Sequence, residues 1–160
     1  MPATDAYWMA LALNLAERGR GGVEPNPMVG CVLVRDGEEI GRGWHRRYGG
    51  PHAERDALNA TREAGHDPAG ATVYVTLEPC CHYGKTPPCT DALIEAGVRR
   101  VVVAMGDPDE SVRGRGIQQL REAGLDVTVG VLAEKARTVL GGYLKLRTQR
   151  RPWVLCKWAQ

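Results

Sequence analysis

The sequence predicts one α/β domain built on a mixed, mostly parallel five-stranded sheet with helices on both faces. Three observations lead there. Apolar, β-branched runs at 28–34, 72–77 and 98–105 alternate with segments of helical period. Glycines close those segments at regular intervals. An Asp36-Gly37 turn signal between 28–34 and 39–45 makes the first two strands an antiparallel hairpin. The 160 residues leave room for one domain of ordinary size.

Each element has a local reason. Tyr7, Trp8, Leu11 and Leu15 recur at helical spacing and stop before Gly19-Arg20-Gly21-Gly22, which predicts a first helix with one buried stripe. The run 28–34 (MVGCVLV) is apolar on both faces and reads as a central strand, with 39–45 returning beside it. After Tyr48-Gly49-Gly50-Pro51, residues 52–64 place Ala53, Ala57, Ala60 and Ala64 on one helical face, stopped by Gly65. A strand at 72–77, a helix at 86–96 ended by Gly97 and a strand at 98–105 follow. The alternation continues with a helix over 116–123, a short strand at 127–129 and a helix from Ala133 towards Leu146, strained by Gly141-Gly142. Residues 153–158, after the basic stretch 147–151, fit an added edge strand or tail and equally the start of a further segment.

Composition excludes several classes. Hydrophobic residues at 43% suffice for an ordinary core, and 25% charged residues is typical of soluble proteins. A net charge of +2 argues against a dedicated duplex binder, which makes about 6–10 phosphate contacts. Nucleic acid is therefore not an expected partner. The longest apolar run, 28–34, is far below the roughly 18 residues of a membrane span. The N-terminal residues lack a basic leader, and Asn14 interrupts their apolar stretch, so a cytoplasmic, reducing location is expected. Of the five cysteines, Cys80, Cys81 and Cys89 crowd together, which in that compartment reads as metal or catalytic chemistry.

His52-Ala53-Glu54 opens one predicted helix, while Cys80 leaves a strand end and Cys89 opens the next helix after Pro87-Pro88. Loops beyond the carboxyl ends of parallel strands form the ligand crevice of such sheets. A helix N-terminus favours a thiolate, and Cys89 shares a face with Ala92, Leu93 and Ala96, which points it inward. One histidine and two thiolates give Zn²⁺ three protein ligands and leave its fourth position to water, which zinc acidifies from a pKa of 15.7 to about 7. Glu54 is close enough to move protons without binding the metal. A structural site would instead recruit a fourth ligand, Cys81 or His82.

With these residues in hand, the sequence resembles the deaminase domain of the bacterial riboflavin-pathway family of diaminohydroxyphosphoribosylaminopyrimidine deaminases. The similarity covers nearly the whole chain. It is carried by Pro25-Asn26-Pro27-Met28-Val29-Gly30-Cys31, by Gly43-Trp44-His45, by Pro51-His52-Ala53-Glu54, and by the stretch from Thr76-Leu77-Glu78-Pro79-Cys80 to Cys89. In that stretch eight residues separate the cysteines, where most of the wider superfamily has CxxC. The resemblance implies a cytidine deaminase-like three-layer sandwich with His52, Cys80 and Cys89 as zinc ligands and Glu54 as proton shuttle. It also implies Asn26, His45, His82, Lys85 and Asp107 as substrate contacts. Lys85 suits a phosphate on charge grounds, and a solvated loop lysine is the bland alternative.

The activity so implied is hydrolytic deamination of 2,5-diamino-6-ribosylamino-4(3H)-pyrimidinone 5′-phosphate to 5-amino-6-(5-phosphoribosylamino)uracil and ammonia. A nucleoside, nucleotide or tRNA deaminase is the enzymatic alternative, and a zinc-stabilised binding module the non-catalytic one. Residues 1–148 would form the deaminase domain, and 149–160 resemble the start of a nicotinamide-dependent reductase domain. A homo-oligomer and a separate or fused reductase are both compatible with the chain. Two departures from the family stand out: Asp107-Pro108-Asp109-Glu110 replaces the common Asp-Pro-Asn-Pro, and Cys81 replaces a common serine. Gly114-Arg115-Gly116 opens a helix as an anion-binding end or carries an ordinary surface arginine.

Overall fold

A computed structural model of the protein describes residues 3–83, 87–110, 112–154 and 156. The chain runs α1 (Asp5–Ala16), β1 (Gly30–Arg35), β2 (Glu38–Trp44), α2 (Ala53–Glu63), β3 (Thr72–Val75), α3 (Cys89–Glu95), β4 (Arg100–Val103), α4 (Arg115–Glu122), β5 (Asp126–Val129), α5 (Ala133–Val139) and α6 (Gly141–Gln149). The five strands form one sheet in the order β2-β1-β3-β4-β5. β1 is antiparallel to both neighbours, while β3, β4 and β5 are mutually parallel. All strands but β1 therefore point the same way, which is the mixed, mostly parallel sheet expected.

Alternation along β1 divides the core in two. Cys31 and Leu33 face a layer that includes Ala57, Leu58, Leu93 and Leu120, from α2, α3 and α4. Val32 and Val34 face Trp8, Met9, Ala12 and Ala136, from α1 and α5. Helices thus cover both faces of the sheet. No helix among the described residues is long and apolar enough to cross a membrane.

Backbone contact, not side-chain size, decides which helix faces turn inward. In α1 the buried residues are Trp8, Met9, Ala12, Leu13, Leu15 and Ala16, whereas Tyr7 is 52% exposed and Leu11 only half-buried. Of the predicted stripe, Trp8 and Leu15 turn inward as expected, while Tyr7 and Leu11 are displaced because Ala12 and Ala16 lie against Gly30, where a Cβ would sit 2.0 Å from the Ala12 carbonyl oxygen. α2 shows the same rule. Its inner face is Ala53, Glu54, Ala57, Leu58 and Thr61, with Ala60 half-buried and Ala64 exposed. Gly41 and Gly43 on β2 let this face settle onto the strand, and Thr61 Oγ1 donates to the Ala57 carbonyl at 2.8 Å.

Three other expectations need adjustment. The runs 72–77 and 98–105 leave the sheet at Val75 and Val103, so their last residues build loops at one end of it. The helix expected from residue 86 begins at Cys89, and residues 84–86 lie outside those described. The long last helix breaks at Leu140 into α5 and α6, next to the predicted Gly141-Gly142 weak point. Trp153 lies against that point, 3.4 Å from where a Cβ on Gly142 would be. Among the described residues beyond α6, no strand joins the sheet; the remainder of 153–158 lies outside them.

A Cβ on Gly43 would lie 2.3 Å from the Ala57 backbone nitrogen. Gly43→Ala should therefore lower stability by about 1–3 kcal/mol as α2 is forced off β2. A urea-unfolding midpoint equal to that of the unmodified protein would contradict this packing.

Candidate metal centre

The site forms where the sheet's parallel strands end. His52 is the N-cap residue of α2, Cys80 follows β3, and Cys89 is the first residue of α3. Pro88 ends the cysteine loop and pre-sets the backbone for the helix start. The three side chains converge until their ligand atoms lie within 4.8 Å of one another. Nδ1 of His52 is 3.6 Å from the Cys80 sulfur and 3.4 Å from that of Cys89. A tetrahedral zinc with its usual bond lengths separates nitrogen and sulfur ligands by about 3.6 Å. The spacing is that of a coordination edge, and the donor set of two thiolates and an imidazole suits zinc. Among the described residues the cluster consists of these three, so neither Cys81 nor His82 closes it.

Local hydrogen bonds hold Cys80 in place. The Cys89 backbone N–H donates to its sulfur at 3.3 Å, and the Thr90 backbone N–H donates to its carbonyl at 3.1 Å. The Cys89 thiol, then His52 and the Cys89 N–H, stabilise the Cys80 thiolate against the cost of burial, bringing its pKa down to about 4. Cys89 moves the other way, because its bond to the Cys80 sulfur and its burial both retain its proton. His52 is raised, chiefly by Cys80. A divalent cation is the natural replacement for these held protons.

Glu54 is 3% exposed and lines a cavity of about 570 Å³ together with His52 and Cys80. Burial, reinforced by the charge on Cys80, raises its pKa. The predicted substrate contacts Asn26, His45, His82 and Asp107 line the same cavity. Lys85 lies outside the described residues. His45 is buried and held neutral by desolvation, its pKa lowered. Its Nδ1–H donates to the Pro51 carbonyl at 2.8 Å, so Nε2 accepts from the Asn26 amide nitrogen at 3.2 Å. Asp107 accepts from the Tyr143 hydroxyl at 2.9 and 3.1 Å and from the Asp109 N–H at 2.8 Å.

Sequence reasoning missed Glu78, Tyr143 and Arg147. Glu78, 4% exposed, accepts the backbone N–H groups of Asp107, Gly114, Gly116 and Ile117 at 3.0–3.2 Å. The anion expected at the Gly114-Arg115-Gly116 helix start is thus the protein's own carboxylate, satisfying the orphan donors of α4. Gly116 is required there, since a Cβ would lie 2.1 Å from the Pro79 carbonyl oxygen. The signal available was a lone acidic residue between a strand and a cysteine. Tyr143 and Arg147 reach the cavity from α6, and nothing local to them marks that destination.

Fold and ligand cluster together define a zinc-type site at the strand ends of a three-layer α/β protein. Residues 2–105 match the cytidine and deoxycytidylate deaminase zinc-binding region, and the chain belongs to that family. It is 52% identical over 153 residues to the riboflavin biosynthesis protein RibD of Escherichia coli (strain K12), covering 96% of this chain and 41% of that protein. RibD of Aquifex aeolicus is 49% identical over 156 residues, 98% of this chain and 43% of that one. The crystal structure of a diaminohydroxyphosphoribosylaminopyrimidine deaminase/5-amino-6-(5-phosphoribosylamino)uracil reductase from Thermotoga maritima superposes with a TM-score of 0.90 at 45% identity, covering 93% of this chain and 42% of that one. The chain therefore spans about two fifths of the length of these relatives. Aspergillus oryzae Rib2 deaminase, 22% identical with a TM-score of 0.69 over 89% of this chain and 93% of that one, shares the fold.

Two outcomes follow from this geometry. In chelator-treated protein at about pH 6, above its depressed pKa, Cys80 should be alkylated by iodoacetamide while Cys31, whose thiol burial pushes up, is spared. Peptide mass spectrometry showing the reverse order would sink the thiolate assignment. Glu78→Gln, which puts an amide where four N–H groups seek a carboxylate, should cost about 2–3 kcal/mol in a denaturant titration.

Proposed function

We propose that the protein is a zinc-dependent deaminase that converts 2,5-diamino-6-ribosylamino-4(3H)-pyrimidinone 5′-phosphate to 5-amino-6-(5-phosphoribosylamino)uracil and ammonia, acting in the cytoplasm in riboflavin synthesis. The observation that carries it is the convergence of His52, Cys80 and Cys89 beside Glu54 in one cavity, in a chain about half identical to RibD proteins. Residues 1–148 are the deaminase domain in this reading, and 149–160 begin a reductase domain, fused or replaced by a separate partner. The T. maritima relative, a deaminase/reductase by name, supports that division.

His52, Cys80 and Cys89 would hold the zinc, which supplies Lewis acidity that brings the pKa of a bound water to about 7. Glu54 takes a proton from the attacking water, passes it to a ring nitrogen as the reacting carbon becomes tetrahedral, and delivers a proton to the departing amine. Its burial suits the task, because a carboxyl raised towards neutrality both accepts and returns protons. His45 positions Asn26: with its Nδ1–H committed to Pro51, it fixes the amide nitrogen and leaves the Asn26 carbonyl oxygen to accept from the pyrimidinone. His82 stands at the exposed side of the cavity, and Lys85 would add its charge to those that meet the phosphate. Asp107 shapes the wall through Tyr143.

Ammonia release from the diaminopyrimidinone phosphate, compared with cytidine and with metal content measured on the same sample, tests the reading; release from cytidine alone would overturn it. Glu54→Gln should keep stoichiometric zinc and lose roughly 10³-fold or more in turnover. Cys80→Ser and Cys89→Ser should lose the metal, and full zinc occupancy in either would contradict the ligand set.

A further inference from the structure

We propose that Arg147 receives the 5′-phosphate monoester of the substrate and sets a preference for phosphorylated over dephosphorylated pyrimidines. This rests on the deaminase reading. Four carboxylates line the cavity, those of Glu54, Glu78, Asp107 and Asp109, and Arg147 is the lysine or arginine that lines it among the described residues. A phosphate monoester, carrying about −1.5 to −2 at neutral pH, enters such an acidic site only against a fixed cation.

Arg147 is placed for that role. Its guanidinium lies 5.4 Å from the Tyr143 ring centroid, and the Tyr143 hydroxyl is itself anchored on Asp107. The side chain is 43% exposed, and its Nη1 lies 3.2 Å from the Asp109 carboxylate. A bidentate phosphate contact is stronger than such a half-exposed ion pair, because the guanidinium fork matches two phosphate oxygens and the ligand carries more charge. The incoming phosphate thus displaces Asp109 as the partner of Arg147. The Asp109 carboxylate is then a like charge near the bound anion and opposes its binding. Of the other wall carboxylates, Glu78 is saturated by backbone N–H groups and Asp107 is tied to Tyr143, so neither competes for the arginine.

The position of Arg147 in the chain points the same way. The match to the zinc-binding region ends at residue 105, whereas Arg147 lies on α6. The metal chemistry is housed in the matched region, and the wall that distinguishes the ribose arm comes from the segment after it.

The test is calorimetric titration of the zinc-loaded protein with 5-amino-6-ribosylaminouracil bearing or lacking the 5′-phosphate. The unmodified protein should prefer the phosphorylated form. Arg147→Ala should reduce that preference by roughly 10- to 100-fold, Arg147→Lys should restore part of it, and Asp109→Asn should increase it. Zinc content and circular dichroism confirm that each variant is folded, and Arg147→Gln replaces the alanine variant if that one is not. A preference unmoved within about threefold in the Arg147 variants, or absent from the unmodified protein, overturns the proposal. Binding needs no turnover, so the two readings separate. Loss of preference in a protein that releases no ammonia leaves the phosphate contact standing and refutes the deaminase reading. An active protein with unmoved preference refutes the contact alone.

Discussion

Two sulfurs and an imidazole nitrogen crowd within 4.8 Å of one another at the ends of α2, β3 and α3, and much of the fold exists to hold them there. Donors this close repel once deprotonated, so the arrangement is stable only while protons or a cation sit between them. The opposed shifts of Cys80 and Cys89 express that tension: one thiol yields its proton because the other keeps its own. Holding His52 at the right distance requires α2 to lie directly on β2. Gly41 and Gly43 permit it by leaving no Cβ between strand and helix.

A second constraint runs through Glu78. This buried carboxylate gathers N–H groups from the loop after β4 and from the start of α4, so the segment carrying Cys80 and the segment carrying Asp107 are fastened together. Burying the charge is tolerable because every hydrogen bond it receives is charge-assisted. The loop that carries Cys80 is thereby tied to the wall of the cavity. Further out, Asp107 leans on Tyr143 and Asp109 on Arg147, extending the same framework to α6.

Legibility in the sequence tracked how local the physics was. The candidate cluster, the cysteine loop and the central character of β1 are each signalled by short motifs, and the structure brings His52, Cys80 and Cys89 together from three of them. Helix faces were harder. In α1 the stripe of Tyr7, Trp8, Leu11 and Leu15 holds for Trp8 and Leu15, but Ala12 and Ala16 take the place of Tyr7 and Leu11 because Gly30 must approach the helix backbone. Strand ends were overextended for a related reason: Thr76, Leu77 and Met105 are as apolar or β-branched as their neighbours, yet the chain bends there to form the crevice.

What the sequence determined by itself was the chemistry: residue types at fixed spacing near helix starts and strand ends, whose placement follows from local backbone rules. What only the tertiary structure decided was the company those residues keep. That Glu78 occupies the α4 start, that the His45 ring meets the Asn26 amide, and that α6 returns Tyr143 and Arg147 to the cavity all depend on contacts between segments 19 to 39 residues apart. Such pairings are set by how helices settle on the sheet, and no local pattern in the sequence encodes them.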